Sequence, residues 1–226
     1  MLKKYGLRFF HMVDCAHGTG AFRALTNEQR VEAQKEAIEL TKKYASKGIA
    51  LSIDKAAFPK VAIGGKEIWT TPYTFLCGQV FYGVRDWANE TGFDGEIEYV
   101  FESGADGEVK AVDETVHALL GTEQMRRVFR YGRHVLARKT EALQLQSADL
   151  LAWHWFTHNR RIREGTITKR ADFKNLIGLK IDPHHYDASS IELWQAVQGP
   201  IMKQVFRQEK THTSIRVLLE ALGRAK

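Results

Sequence analysis

The stretch Leu143-Gln144-Leu145-Gln146-Ser147-Ala148-Asp149-Leu150-Leu151-Ala152-Trp153-His154-Trp155-Phe156 decides how this chain is read. Apolar residues run almost all the way round it at helical spacing. That pattern predicts a buried helix, and the run is too short to span a bilayer. In its middle stands one carboxylate, Asp149. Its helical neighbours three and four residues away are Leu145, Gln146, Ala152 and Trp153, none of them a cation. An ionised carboxylate so placed is costly unless a metal, a sequence-distant cation or several donors compensate it. Asp149 therefore either lies at a partly wet mouth of the core or does chemistry there. A purely structural helical Asp more often sits at a cap or beside a basic neighbour.

Around this helix the composition sets bounds. The 226 residues give one large domain or a domain with an appendage. Hydrophobic content of 44% and charged content of 27% are those of an ordinary globular chain. No apolar run approaches a membrane span, and Met1-Leu2-Lys3-Lys4-Tyr5 is not followed by a signal-peptide core. Cys15 and Cys77 alone make neither a disulfide framework nor a paired-cysteine metal site, so a reducing, cytoplasmic location is expected. Between Arg126 and Lys174, twelve Lys or Arg stand against four Asp or Glu, a local +8 in a chain of net +6. Such a field suits the phosphate backbone of a nucleic acid, and equally a solvated surface.

Upstream, Leu7 to Asp14 reads as an extended segment feeding the loop at Gly18-Thr19-Gly20. His11, Asp14 and His17 are metal-capable residues at irregular spacing; the alternative is a loop folded against the site. Thr26-Asn27-Glu28-Gln29 is capping-box chemistry for a helix to about Ser46, and Ile49 to Ile53 then alternates as a strand. Asp54-Lys55 follows where that strand ends. Phe58 to Trp69 reads as a loop turning at Gly64-Gly65. Thr71-Pro72 predicts a helix start, and Gly92 its stop. Gly95 to Glu102 alternates as a strand and leaves Glu102 as a carboxylate at its carboxyl end. Helices over about 108–120 and 123–131 and a short strand over 134–139 precede the central helix, whose basic tail is Arg160-Arg161-Ile162-Arg163. Beyond it, Ser189-Ser190-Ile191-Glu192 predicts a capping box opening a helix that Gly199-Pro200 breaks, with a last helix over 215–222.

Several blocks together resemble the domain-of-unknown-function family numbered 3800. They are His11-Met12-Val13-Asp14 with Gly18-Thr19-Gly20-Ala21-Phe22, Ser52-Ile53-Asp54-Lys55-Ala56-Ala57-Phe58, Pro72-Tyr73, the strand ending in Glu102, and above all Leu145-Gln146-Ser147-Ala148-Asp149-Leu150-Leu151-Ala152. The resemblance covers roughly residues 7–165. It implies a ribonuclease H-like α/β fold, a mixed sheet flanked by helices, over residues 1–165, with a helical C-terminal extension over 166–226. It also implies a site of acidic residues at strand ends plus the aspartate of the late helix. The family's opening strand with an Asp-Glu-Ser-Gly motif has no counterpart here, so an N-terminally truncated domain is expected.

The chemistry these residues predict is metal-assisted phosphodiester hydrolysis, as in a nuclease. Glu102 and Asp149 would be catalytic and metal-binding, with Asp14 or His11 completing the shell. Oxygen ligands favour Mg²⁺ or Mn²⁺. Gln146 would orient a carboxylate or water, or alternatively cap neighbouring backbone. Lys55 would hold a phosphate, or be a solvated loop residue, and Arg160, Arg161 and Arg163 would contact backbone phosphates. The alternative is a non-catalytic module that binds nucleic acid or another partner. Trp153, Trp155 and Phe156 would then stack on bases, although core packing is the commoner fate of aromatics at this spacing.

Overall fold

In the computed structural model the described residues are 1–58, 71–104, 106–176 and 180–197. The expected loop with its Gly64-Gly65 turn, the Gly199-Pro200 break and the helix over 215–222 lie outside them. The chain is mixed α/β. Its helices are α1 (Met12–His17), α2 (Asn27–Tyr44), α3 (Pro72–Thr91), α4 (Asp106–Leu120), α5 (Glu123–Val128), α6 (Gln144–Arg163), α7 (Ala171–Leu176) and α8 (residues 188–197). The strands are β1 (Gly48–Ile53), β2 (Ile97–Glu102), β3 (Tyr131–Ala137) and β4 (Ile181–Tyr186). β1 pairs with β4 and β2 with β3, both in parallel. No helix among the described residues is long and apolar enough to cross a membrane.

Local chemistry explains the boundaries that matter. Thr26 and Gln29 close a reciprocal capping box at α2, and Thr71 with Thr74 does the same at α3, where Pro72 takes the first turn and Gly92 ends the helix. β2, α4, α5 and β3 form a right-length crossover between parallel strands. Its core gathers Phe81, Tyr99, Val112, Leu119 and Phe129, with Phe81 and Tyr99 ring centroids 4.4 Å apart. A second core holds Phe10, Met12, Phe22, Ala33, Ile38 and Leu150, and so packs α1, α2 and α6 together. β1 touches both α3 and α6. At Gly83 of α3 an added Cβ would come within 3.0 Å of the Ile49 side chain, so glycine sets how closely α3 approaches β1.

Four expectations need correction. The stretch Leu7 to Asp14, read as extended, turns helical at Met12, and the amides of Phe10 and Met12 are bound by side chains of α6 and not by a strand. α6 is not buried all round: Leu145, Gln146, Leu150, His154 and Thr157 face inward, while Leu143 is 61% and Phe156 57% exposed. The segment after 165, expected to be helical, contains β4 and is tied into the domain by its ladder with β1. Finally, α8 is capped by Asp187, which accepts from the Ser190 amide and from both serine hydroxyls, and not by Ser189.

Phe75 of α3 joins the two halves of the chain. It is fully buried, 5.1 Å from the rings of both Tyr186 at the end of β4 and Trp194 on α8. Truncation there leaves a cavity that the rings of Phe58, Tyr186 and Trp194 line. The variant Phe75→Ala should lose about 3–5 kcal/mol of unfolding free energy, read from the urea midpoint at unchanged slope; a loss below 1 kcal/mol would contradict this packing.

Candidate functional site

The geometry of the site follows from parallel strand pairing. In the β2–β3 register Glu102 lies opposite Ala137, so both strands end on the same edge and the residues just beyond β3 emerge beside Glu102. Carboxyl ends of parallel strands are where sites gather in α/β proteins. Lys139 is the second residue past β3. Its ammonium lies 3.1 Å from Glu102 Oε1 and 2.9 Å from Asp149 Oδ1. Asp149 Oδ2 accepts the Met12 amide at 2.8 Å. The lone carboxylate of α6 is therefore compensated by one sequence-distant cation and one backbone donor.

Two further groups extend the cluster. His11 Nε2 stands 3.9 Å from Asp149 Oδ1, and its Nδ1 is 3.0 Å from Asp14 Oδ2. Thr19 donates to Asp14 Oδ1 at 2.7 Å. That hydroxyl, then His11 and more weakly Lys139, hold the Asp14 carboxyl below its ordinary range. Gly20, at φ +52°, makes room for it, since an added Cβ would fall 2.5 Å from Asp14 Oδ2. Burial alone would lower the Lys139 pKa, but Asp149 and Glu102 outweigh it and hold the ammonium above its usual value. Asp149 and Lys139 side chains are only 14% and 12% exposed, whereas Glu102 is 48% exposed and opens the cluster to solvent.

The expected residues divide accordingly. Glu102, Asp149, Asp14 and His11 come together. Gln146 supports them without facing the cluster's charges: its amide oxygen accepts from Phe10 N–H at 2.9 Å and its amide nitrogen donates to the Lys139 carbonyl at 3.0 Å. It pins the backbone on either side of the site, which is the backbone-capping alternative. Lys55 is exposed just past β1, and no contact among the described residues joins it to the cluster. Asp54 is spent on its own turn, accepting from Ala56 N–H at 2.9 Å. Arg160, Arg161 and Arg163 lie in the last turn of α6. The residue sequence reasoning missed is Lys139. Its signal was its place at the end of the short strand expected over 134–139; the structure ends that strand at Ala137 and pairs it in parallel with the strand that ends in Glu102.

One turn further along α6, His154 is fully buried, faces Gln34 through Nε2 at 3.3 Å, and leaves Nδ1 without a partner among the described residues. Burial pushes its pKa down to about 4, with Asp172 opposing and Arg170 assisting. The unfolded chain takes up this proton near 6.5 and the folded chain near 4. Stability should therefore fall as pH drops through that window, by about 3 kcal/mol in all. Denaturation at pH 7 and pH 4 should show a smaller pH-dependent loss in His154→Gln than in the parent chain; equal losses would contradict the assignment. Comparison of the chain with protein-family models, with curated proteins and with solved structures finds no match.

Proposed function

We propose that this chain is a divalent-metal-dependent phosphodiester hydrolase of ribonuclease H-like type, akin to the unknown-function family 3800. One observation carries the reading. Two carboxylates remote in sequence, Glu102 and Asp149, converge on a single cation at the carboxyl edge of a parallel strand pair. With Asp14 they present three carboxylates against one ammonium, a formal −2 when His11 is neutral. Excess negative charge on hard oxygen donors fits Mg²⁺ or Mn²⁺. Among the described residues no three such side chains already converge as metal ligands. The arrangement is organised instead around the Lys139 ammonium, so a divalent ion and Lys139 compete for the same two carboxylates. Such an ion, when bound, lowers the pKa of an attacking water and neutralises charge on the phosphodiester. Glu102 and Asp149 would hold it, Asp14 would fix His11, and the displaced Lys139 would supply positive charge to the phosphate.

A second reading is favoured by that same ammonium. With both oxygens of Asp149 committed to Lys139 and to Met12 N–H, the cluster also suits a fold that keeps the site as a structural ion pair and only binds nucleic acid. Substitution separates the two. Asp149→Asn preserves an acceptor for Met12 N–H while deleting the charge. For the hydrolase, Mn²⁺ uptake by paramagnetic resonance should drop at least tenfold in Asp149→Asn and rise in Lys139→Met. Cleavage of a labelled oligonucleotide in Mn²⁺ should fall at least a hundredfold in Asp149→Asn and Glu102→Gln. No Mn²⁺ uptake by either the parent or Lys139→Met, with salt-sensitive nucleic-acid binding intact, would overturn the hydrolase and leave the binding module.

A further inference from the structure

Next to the acidic cluster lies a cavity of about 440 Å³ between α1, α2 and α6, whose chemistry the cluster does not use. Its walls include Arg30 of α2, Trp153, Phe156 and Arg160 of α6, and Arg170. The charges around it do not cancel. Arg170 is paired with Asp172 at 2.6 Å and lies over the Trp153 ring at 5.2 Å. Arg160 reaches the exposed Glu164 only at 3.8 Å. Arg30 has no carboxylate partner among the described residues. It donates to the carbonyls of Cys15 and Ala16 at 3.1 and 3.3 Å and to Asn27 Oδ1 at 3.3 Å, and its buried Nε has no acceptor. A half-buried guanidinium held by neutral acceptors alone, at the wall of a cavity, is arranged for an anion.

The position of the cavity says what kind of anion. Asp149, Trp153, Phe156 and Arg160 follow one another at steps of four, three and four residues. At 3.6 residues per turn they fall within about 60° of one another on the helix surface. One face of α6 thus carries a carboxylate, two aromatic rings and a guanidinium in order. From Asp149 to Arg160 is about 16 Å along the axis, a distance crossed by a short run of nucleotides. α1 serves both ends as well: His11 and Asp14 belong to the acidic cluster, and Val13 and His17 to the cavity. Phe156, 57% exposed, keeps ring surface open beside the guanidinia. Open ring faces beside cations along a groove are how single strands are held without base-specific readout.

We propose that this cavity is a single-stranded nucleic-acid subsite, with Phe156 stacking on a base and Arg30 and Arg160 holding its phosphate, so that the strand runs along α6 towards Glu102 and Asp149. The choice of nucleic acid as ligand rests on the phosphodiester reading of the acidic cluster. Duplex DNA would leave Phe156 without a base face to contact, since its bases are stacked on one another.

The test is fluorescence anisotropy of a labelled twelve-nucleotide single strand, in EDTA so that binding is read without metal or cleavage. Phe156→Ala should weaken binding about tenfold. Arg160→Gln should weaken it about as much and lower the slope of log affinity against log salt by about one. Arg127→Gln, on the exposed surface of α5, should stay within twofold of the parent chain. These side chains are solvent-exposed, and an unchanged melting temperature verifies the fold. Three results would each overturn the subsite: full affinity in Phe156→Ala, an Arg127→Gln loss equal to that of Arg160→Gln, or displacement of the strand by polyphosphate or duplex as readily as by unlabelled strand. The two readings fail separately. Strand binding with this pattern but no cleavage in Mn²⁺ keeps the subsite and removes the hydrolase; cleavage with full affinity in both pocket variants does the reverse.

Discussion

The Lys139 ammonium, held between Glu102 and Asp149, is the contact on which the rest of the arrangement depends. It joins the carboxyl edge of β2 and β3 to the middle of α6, and through Asp149 and Met12 N–H it reaches α1 as well. Ion pairs this sheltered give little net stability, because desolvation offsets much of the attraction. Their removal one partner at a time is another matter, since an uncompensated charge stays behind. The pair therefore specifies more than it stabilises. Asp149 can face the cluster only if β3 ends where it does, and β3 ends opposite Glu102 by register.

Gln146 makes that specification rigid. One turn before Asp149, it bonds the Phe10 amide with one end and the Lys139 carbonyl with the other. Both groups are backbone that would otherwise be buried without partners. Two side chains of one helix thus do for residues 10–12 what a neighbouring strand would do in a sheet. Apolar packing completes the joint: Phe10 and Phe22 meet edge-on at 5.6 Å, and Met12 and Leu150 are fully buried beside them.

What could be read from the sequence divides along the range of the interactions. Elements fixed by near neighbours were legible: the Thr26 capping box, the Thr71-Pro72 start of α3, and the alternation of β2 that put Glu102 at a strand end. So was the anomaly of Asp149. Elements fixed by distant residues were not. The stretch Leu7 to Asp14 has the apolar content of a strand, yet its amides are claimed by residues about 136 positions away. β4 reads Ile-Asp-Pro-His-His-Tyr, with a proline and two histidines, and owes its conformation to the ladder with β1. Proline is tolerated there because β4 is an edge strand of its pair. The face of α6 was misjudged for a related reason. Hydrophobicity alone did not distinguish Leu150, under α1, from Phe156, which borders a cavity.

That last distinction has a functional edge. A helix that only needed to fill a core would have no reason to keep Phe156 57% exposed, or to align it with a guanidinium and a carboxylate. The inward stripe, Gln146, Leu150, His154 and Thr157, meets the demands of folding. The adjoining stripe, Asp149, Trp153, Phe156 and Arg160, carries groups whose burial or exposure costs free energy unless something else contacts them. Asp149 is answered inside the molecule by Lys139. Arg30 across the cavity is answered, among the described residues, only by neutral acceptors. One end of the stripe is therefore electrostatically closed and the other open, and the direction of that asymmetry is what a strand of phosphates would follow.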